Sequence, residues 1–195
     1  MPLQIIKAMQ EKIKTIKVND MDFEFFISEQ EIENNIKRMA NEIRSDLTEE
    51  SNPLFVCMLN GAFMFASELI KCLDMPWEIS FTSYSSYKGT SSTGVLTEKI
   101  PITEDIKGRT IILLEDIVET GLTIYQVINK LKDAGAKDVK LATMLFKPAA
   151  LQHDLKPDYV GLEIENDFIV GHGLDYDQKG RGLKDIYKIV QTTEC

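Results

Sequence analysis

IILLEDIVETGLT, Ile111 to Thr123, is the stretch on which the fold turns. Its apolar head is short and continuous, the mark of a buried strand. Two acids, Glu115 and Asp116, follow at the strand tip, and a turn holding Gly121 leads straight into a helical pattern. That pattern runs from Leu122 to Ala134 and stops at Gly135, a natural C-terminal cap. A strand that feeds a helix N-terminus through a glycine turn presents unpaired backbone N–H groups and the positive end of the helix dipole. Together these hold phosphate. Glu119, Thr120, Gly121, Leu122 and Thr123 are therefore the expected phosphate cradle, with Gly121 letting the backbone come close to the anion. Glu115 and Asp116 are placed to accept hydrogen bonds from sugar hydroxyls. An acid at a helix start often does no more than favour the dipole. Two acids at the end of an apolar strand, followed by Thr-Gly-x-Thr, are not accounted for in that way.

Outward from this segment, strands and helices alternate. Phe23 to Ile27 reads as a strand, and Ser28 with Glu31 as a capping box opening a helix. That helix repeats apolar residues at Ile32, Ile36, Met39, Ile43 and Leu47. LFVCML, Leu54 to Leu59, is a buried strand, and a helix from about Ala62 to Leu73 stops at Asp74-Met75-Pro76. Ile79 to Tyr84, Thr110 to Leu114, Val139 to Phe146 and Tyr159 to Ile164 complete the predicted strands. SSYKGTSSTG, Ser85 to Gly94, has no apolar period and is expected to be a mobile surface loop. The pattern predicts an α/β fold: a mostly parallel central sheet flanked by helices, with ligands beyond the carboxyl ends of its strands. Repeats and long linkers are absent, so residues 1–195 are expected to form one domain, with a small appended lobe at most.

The 195 residues suffice for a sizeable core, and 44% hydrophobic with 27% charged residues is ordinary for a globular chain. The net charge of -9 is spread along the sequence and excludes a basic nucleic-acid surface. A phosphorylated ligand would need a divalent cation to join acid to acid. No apolar run reaches the length of a membrane span. Three cysteines, Cys57, Cys72 and Cys195, fit no metal spacing and predict reduced thiols in a cytosolic protein.

The central segment resembles the phosphoribosyl-pyrophosphate motif of type I phosphoribosyltransferases: an apolar run, an acid pair, two apolar residues, an acid, then Thr-Gly-x-Thr. From about Glu24 to Val190 the chain is similar to the hypoxanthine-guanine branch of that family. The resemblance implies the family's α/β fold with a small hood lobe. It implies that Asn60, Gly61 and Arg181 meet pyrophosphate, and that Ser86 and Tyr87 belong to a flexible loop. Lys147 would read the 6-oxo oxygen of a purine, Phe168 would stack on the ring, and Ile169 would offer backbone hydrogen bonds. Asp175 would lie near the base and, with Glu115 and Asp116, help to hold Mg2+. Glu119 would be the acid/base group near the purine N7. A homodimer or homotetramer is implied as well.

Bland readings stand beside these roles. Phe168 alone reads as a core aromatic, Lys147 as a solvated loop charge, Asp175 as a turn residue and Arg181 as a surface cation. Two positions depart from the family pattern: Asn60 stands where a basic residue is usual, and Glu119 where aspartate is usual. A regulator that only senses the sugar donor would share the central motif. It would normally add a basic DNA-binding segment, which this acidic chain lacks.

Overall fold

In a computed structural model, which describes residues 15–86 and 96–190, strands and helices alternate along the chain. The first elements are β1 (Thr15–Val18), β2 (Met21–Ile27), α1 (Glu29–Asp46), β3 (Leu54–Met58), α2 (Phe63–Leu73), β4 (Glu78–Ser86) and β5 (Leu96–Ile100). There follow β6 (Thr110–Val118), α3 (Leu122–Asp133), β7 (Asp138–Phe146), β8 (Tyr159–Glu163), β9 (Ile169–Val170) and β10 (Ile186–Ile189). They form two compact units: residues 30–166, and residues up to 29 together with those from 167 onward.

The larger unit is built on six strands in the order β5-β4-β3-β6-β7-β8. Five run parallel, and β5 returns antiparallel along β4. β3 and the first half of β6 are buried at every position, as parallel strands covered on both faces must be. Alternation along the strands divides their side chains between the two faces. Leu54, Val56, Ile111 and Leu113 join Val127 and Leu131 of α3 in one core cluster. Phe55, Cys57, Ile112 and Leu114 are buried on the opposite face. α1 buries Ile32, Ile36, Met39, Ala40 and Ile43, the single apolar stripe expected of helical spacing. Asp74 closes α2 with φ 47°. Gly135, at φ 98°, ends α3 in a Schellman arrangement: its N–H meets Lys132 O at 2.9 Å, and the Ala136 N–H meets Leu131 O at 3.1 Å.

Two expectations change. β6 continues to Val118, paired with β7 as far as Val118–Phe146, so Glu115 and Asp116 lie inside the strand rather than at its tip. Ser85 and Ser86 belong to β4 and pair with Thr97 and Leu96 of β5. The remainder of the expected loop, Tyr87 to Gly94, lies outside the described residues.

The smaller unit is a four-stranded antiparallel sheet in the order β1-β2-β10-β9, made from the two ends of the chain. Val18, Phe23, Val170 and Tyr187 form its core. The segment after β9 folds back on itself: the His172 N–H meets Leu183 O at 2.8 Å and the Gly173 N–H meets Arg181 O at 2.9 Å. Gly171 is indispensable there, since its φ is 108° and a Cβ would lie 2.2 Å from the Asp185 carbonyl oxygen. Among the described residues, no helix is long and apolar enough to cross a membrane.

Candidate active site

β6 ends at Val118 and α3 begins at Leu122, so the chain must turn within Glu119, Thr120 and Gly121. Gly121 makes the turn with φ 77°, a region that side chains rarely tolerate. A Cβ at this position would also come within 2.9 Å of Leu151 and 3.2 Å of Leu155. The sequence suggested that this glycine makes room for an anion; in the structure, two leucines press against it. α3 has no side-chain cap at its N-terminus, so its first-turn amides lack intrahelical acceptors. Thr120 Oγ1 accepts from the Leu122 N–H at 3.4 Å. Glu115, Glu119, Gly121 and Thr123 line a cavity of about 160 Å3 at this turn.

The acid pair sits behind the turn. Glu115 Oε2 is buried without a hydrogen-bond partner. Burial first, and the charge of Asp116 second, push the Glu115 carboxyl well above the usual carboxylate range. Asp116 Oδ1 accepts the Ile117 N–H at 2.9 Å. Asp116 Oδ2 rests against Gly61, where a Cβ would stand only 1.6 Å away. Gly61 is thus a glycine because a carboxylate fills the place of its side chain. Asn60 is exposed and is joined to Leu59 by a cis peptide. The Asn60-Gly61 loop and the acid pair meet because β3 and β6 are hydrogen-bonded neighbours.

Lys147 is only 3% exposed, so it is not a solvated loop charge. Its N–H meets Val118 O at 2.9 Å, and its ammonium is ion-paired with the half-exposed carboxylate of Glu119. Read from the sequence, these residues have separate duties. The structure joins them because β6 and β7 end side by side. The segment after Lys147 then packs onto the turn at Glu119–Gly121. The Gln152 N–H meets Thr120 O at 3.0 Å, and His153 stacks on Tyr125 with ring centroids 5.4 Å apart. No signal in the sequence announces that stack.

In the smaller unit Phe168 is 44% exposed, so it is not a core aromatic. Its ring lies 6.0 Å from that of Phe23 and 5.7 Å from that of Tyr176. Ile169 is buried and pairs with Lys188 across β9 and β10. Asp175 and Arg181, expected to serve different ligands, are bonded to each other at 2.6 Å. Asp175 Oδ2 also accepts the Gln178 N–H at 2.8 Å, and Arg181 donates to Gly173 O at 2.8 Å. His172 is buried, with φ 47°.

A model of the phosphoribosyl transferase domain matches residues 27–177. The chain belongs to the phosphoribosyltransferase family. It is 38% identical over 158 residues to a hypoxanthine-guanine phosphoribosyltransferase of Streptococcus pneumoniae, covering 80% of this chain and 87% of that one. It is 36% identical over 157 residues to a hypoxanthine-guanine-xanthine phosphoribosyltransferase of Tritrichomonas foetus, covering 80% of this chain and 85% of that one. Among solved structures, a hypoxanthine phosphoribosyltransferase from Staphylococcus aureus superposes with a TM-score of 0.81 at 30% identity. The match covers 94% of this chain and 95% of that one.

One larger hollow of this phosphoribosyltransferase is unsuited to a phosphate-bearing ligand. The hollow of about 460 Å3 beside Asn41 and Tyr159 is walled by Glu42, Asp46 and Asp158, which repel phosphate. Among the described residues, no group of three or more His, Cys, Asp or Glu side chains could hold a metal by itself.

Proposed function

We propose that this chain is a purine-salvage transferase that uses Mg2+. It joins hypoxanthine, and guanine as well, to 5-phosphoribosyl 1-pyrophosphate, releasing pyrophosphate and the nucleoside 5'-monophosphate. The observation that carries the reading is the turn at Glu119–Thr123 into α3, whose N-cap Gly121 offers no side chain, set beside a buried lysine and an acid pair with one buried, unpartnered oxygen. Glu119, Thr120, Gly121, Leu122 and Thr123 hold the 5'-phosphate through backbone amides and hydroxyls. Glu115 and Asp116 accept hydrogen bonds from the ribose hydroxyls, and Asn60, Gly61 and Arg181 face the leaving pyrophosphate.

The donor set suits magnesium. Two hard carboxylates, one with a buried and unpartnered oxygen, fit an ion that takes few protein ligands and keeps water and phosphate oxygens around it. Held by Glu115 and Asp116, such an ion would supply positive charge to offset that developing on the departing pyrophosphate. Asp175 would help to hold the ion, directly or through water.

Lys147 donates to the 6-oxo oxygen of the base. A 6-amino purine would set donor against donor, a mismatch that costs far more than a missing methylene. Glu119 takes the N7 proton as N9 attacks the anomeric carbon and the bond to pyrophosphate breaks. Phe168 stacks on the ring, and Ile169 hydrogen-bonds the base edge through its backbone. We place the enzyme in the cytoplasm, as one transferase domain in a homodimer or homotetramer. A spectrophotometric assay with the donor, Mg2+ and a panel of bases tests the reading. Turnover of hypoxanthine and guanine, with none of adenine or pyrimidines, is the expected result; no turnover of any oxopurine would refute it.

A further inference from the structure

Three aromatic rings meet in the smaller unit, and one of them is fastened from a distant turn. Phe168 is the exposed member. Its backbone is fixed, because its carbonyl accepts the Ile189 N–H at 2.8 Å, but an exposed phenylalanine side chain still has rotamers to choose from. Two neighbours narrow that choice. Phe23, fully buried, meets it at 6.0 Å with the planes tilted by 44°. Tyr176 meets it at 5.7 Å and 88°, a perpendicular pairing that suits the opposed charges of ring face and ring edge.

Tyr176 is in turn held at three points. Its hydroxyl donates to Asp20 Oδ1 at 2.9 Å. Its carbonyl accepts from Asn19 Nδ2 at 3.1 Å. Its own N–H and carbonyl exchange bonds with Lys179 across a two-residue reversal, Asp177 at φ 48° and Gln178 at φ 65°. Asn19 and Asp20 form the turn between β1 and β2, and Asn19 adopts φ 53° to offer its amide. The Asp20 carboxylate also pushes the Tyr176 hydroxyl above its usual range, keeping it a donor.

We infer that Tyr176, anchored by Asp20 and Asn19, is a positioning residue that holds the Phe168 ring in the orientation an oxopurine stacks on. The inference rests on the reading of Phe168 as the base-stacking ring. A stacking partner held in place before binding loses less freedom when the base arrives, so the network acts on base affinity and not on the donor.

Steady-state kinetics with hypoxanthine and donor varied separately test this in Tyr176→Phe, Asp20→Ala and Asp20→Asn. Tyr176→Phe and Asp20→Ala are expected to raise the KM for hypoxanthine about three- to tenfold, the worth of one hydrogen bond, and to leave the donor KM unmoved. Asp20→Asn keeps an acceptor oxygen and is expected to restore the base KM. A base KM that does not move, or that moves equally with the donor KM, overturns the proposal. Fluorine NMR on ligand-free protein labelled with fluorophenylalanine tests the same point without turnover, the Phe168 signal being assigned with Phe168→Leu. The signal is expected to shift and narrow in Tyr176→Leu and Tyr176→Phe. An unchanged signal refutes the positioning role, whereas absence of turnover in the wild type refutes the transferase reading and leaves the NMR result to decide this one.

Discussion

The two units hold their candidate functional residues by different means. In the larger unit the turn at Glu119–Gly121 stands at the end of β6, a strand buried through its first half and flanked on both sides by parallel neighbours. In the smaller unit Phe168 precedes a strand of only two residues, and the segment after it is kept in shape by positive-φ residues and short hydrogen bonds. A buried strand places its end through the whole core, so groups that must meet a fixed phosphate gain from it. A face that must fit a flat ring can be built from a few tilted aromatics. The first arrangement resists damage except at the residues that touch ligand; the second is expected to respond to changes well outside the site.

The sharpest test of the contrast is Glu119→Gln, which keeps shape and removes the proton acceptor. Turnover is expected to fall about 10²-fold or more, the usual worth of an acid/base group, while calorimetry shows nucleotide affinity nearly retained. Glu119→Asp is expected to keep partial activity, limited by a shorter reach to Lys147. Next comes Lys147→Ala. A charged hydrogen bond lost from an oxopurine should lower kcat/KM by about 10- to 100-fold, equally for hypoxanthine and guanine. Its melting temperature should fall as well, because loss of the buried lysine stem leaves a cavity, whereas Glu119, half-exposed, can return to water.

Gly121→Val should weaken donor and nucleotide together, through the strained φ and the collision with Leu151 and Leu155. Thr123→Val, which removes only a hydroxyl, should give the same pattern at about five- to tenfold. Unchanged nucleotide affinity in both variants would remove the turn from the site. Phe168→Leu should cost about two- to tenfold in base affinity and nothing in donor affinity, the ring's contribution beyond its area.

The smallest effect concerns the core itself. Burial, with Glu115 and Asp116 nearby, pushes the Cys57 thiol from 9.0 up to about 12. Iodoacetamide at pH 8 should therefore leave Cys57 unmodified in the folded protein and label it in urea, as peptide mass spectrometry would show. The matching contribution to stability is complete below pH 9 and is lost as pH rises towards 12, because only the unfolded thiol ionises in that window.

The same contrast governs what the sequence made legible. β3, β6 and β7 are apolar enough to be read at once, and the turn after β6 carries its own motif. β5, with the sequence LTEKI, is an edge strand of mixed polarity and escaped the prediction. So did β1 and β10, each only four residues long, and β9, too short to have a period. The Lys147–Glu119 pair was invisible because its partners follow the ends of two different strands. Phe23, Tyr176 and Asp20 were missed for a related reason: an aromatic cluster assembled from both ends of the chain leaves no local trace. The placement of Asp116 against Gly61 could have been suspected from the glycine alone, but not its cause.

The pairing of β2 with β10 joins residues such as Phe23 and Ile189. As the polypeptide leaves the ribosome, every strand of the larger unit has been made by Glu163, whereas β2 must wait for Ile186–Ile189 before its sheet can close. Contacts so distant in sequence are slow to form, since the intervening chain must first give up its freedom. The turn at Glu119–Gly121 can therefore take shape on the nascent chain while the sheet beside Phe168 is still open, and the order around Phe168 is expected to arrive last. In pulse-labelled refolding, amides of β6 and β7 should gain protection before those of β2 and β10.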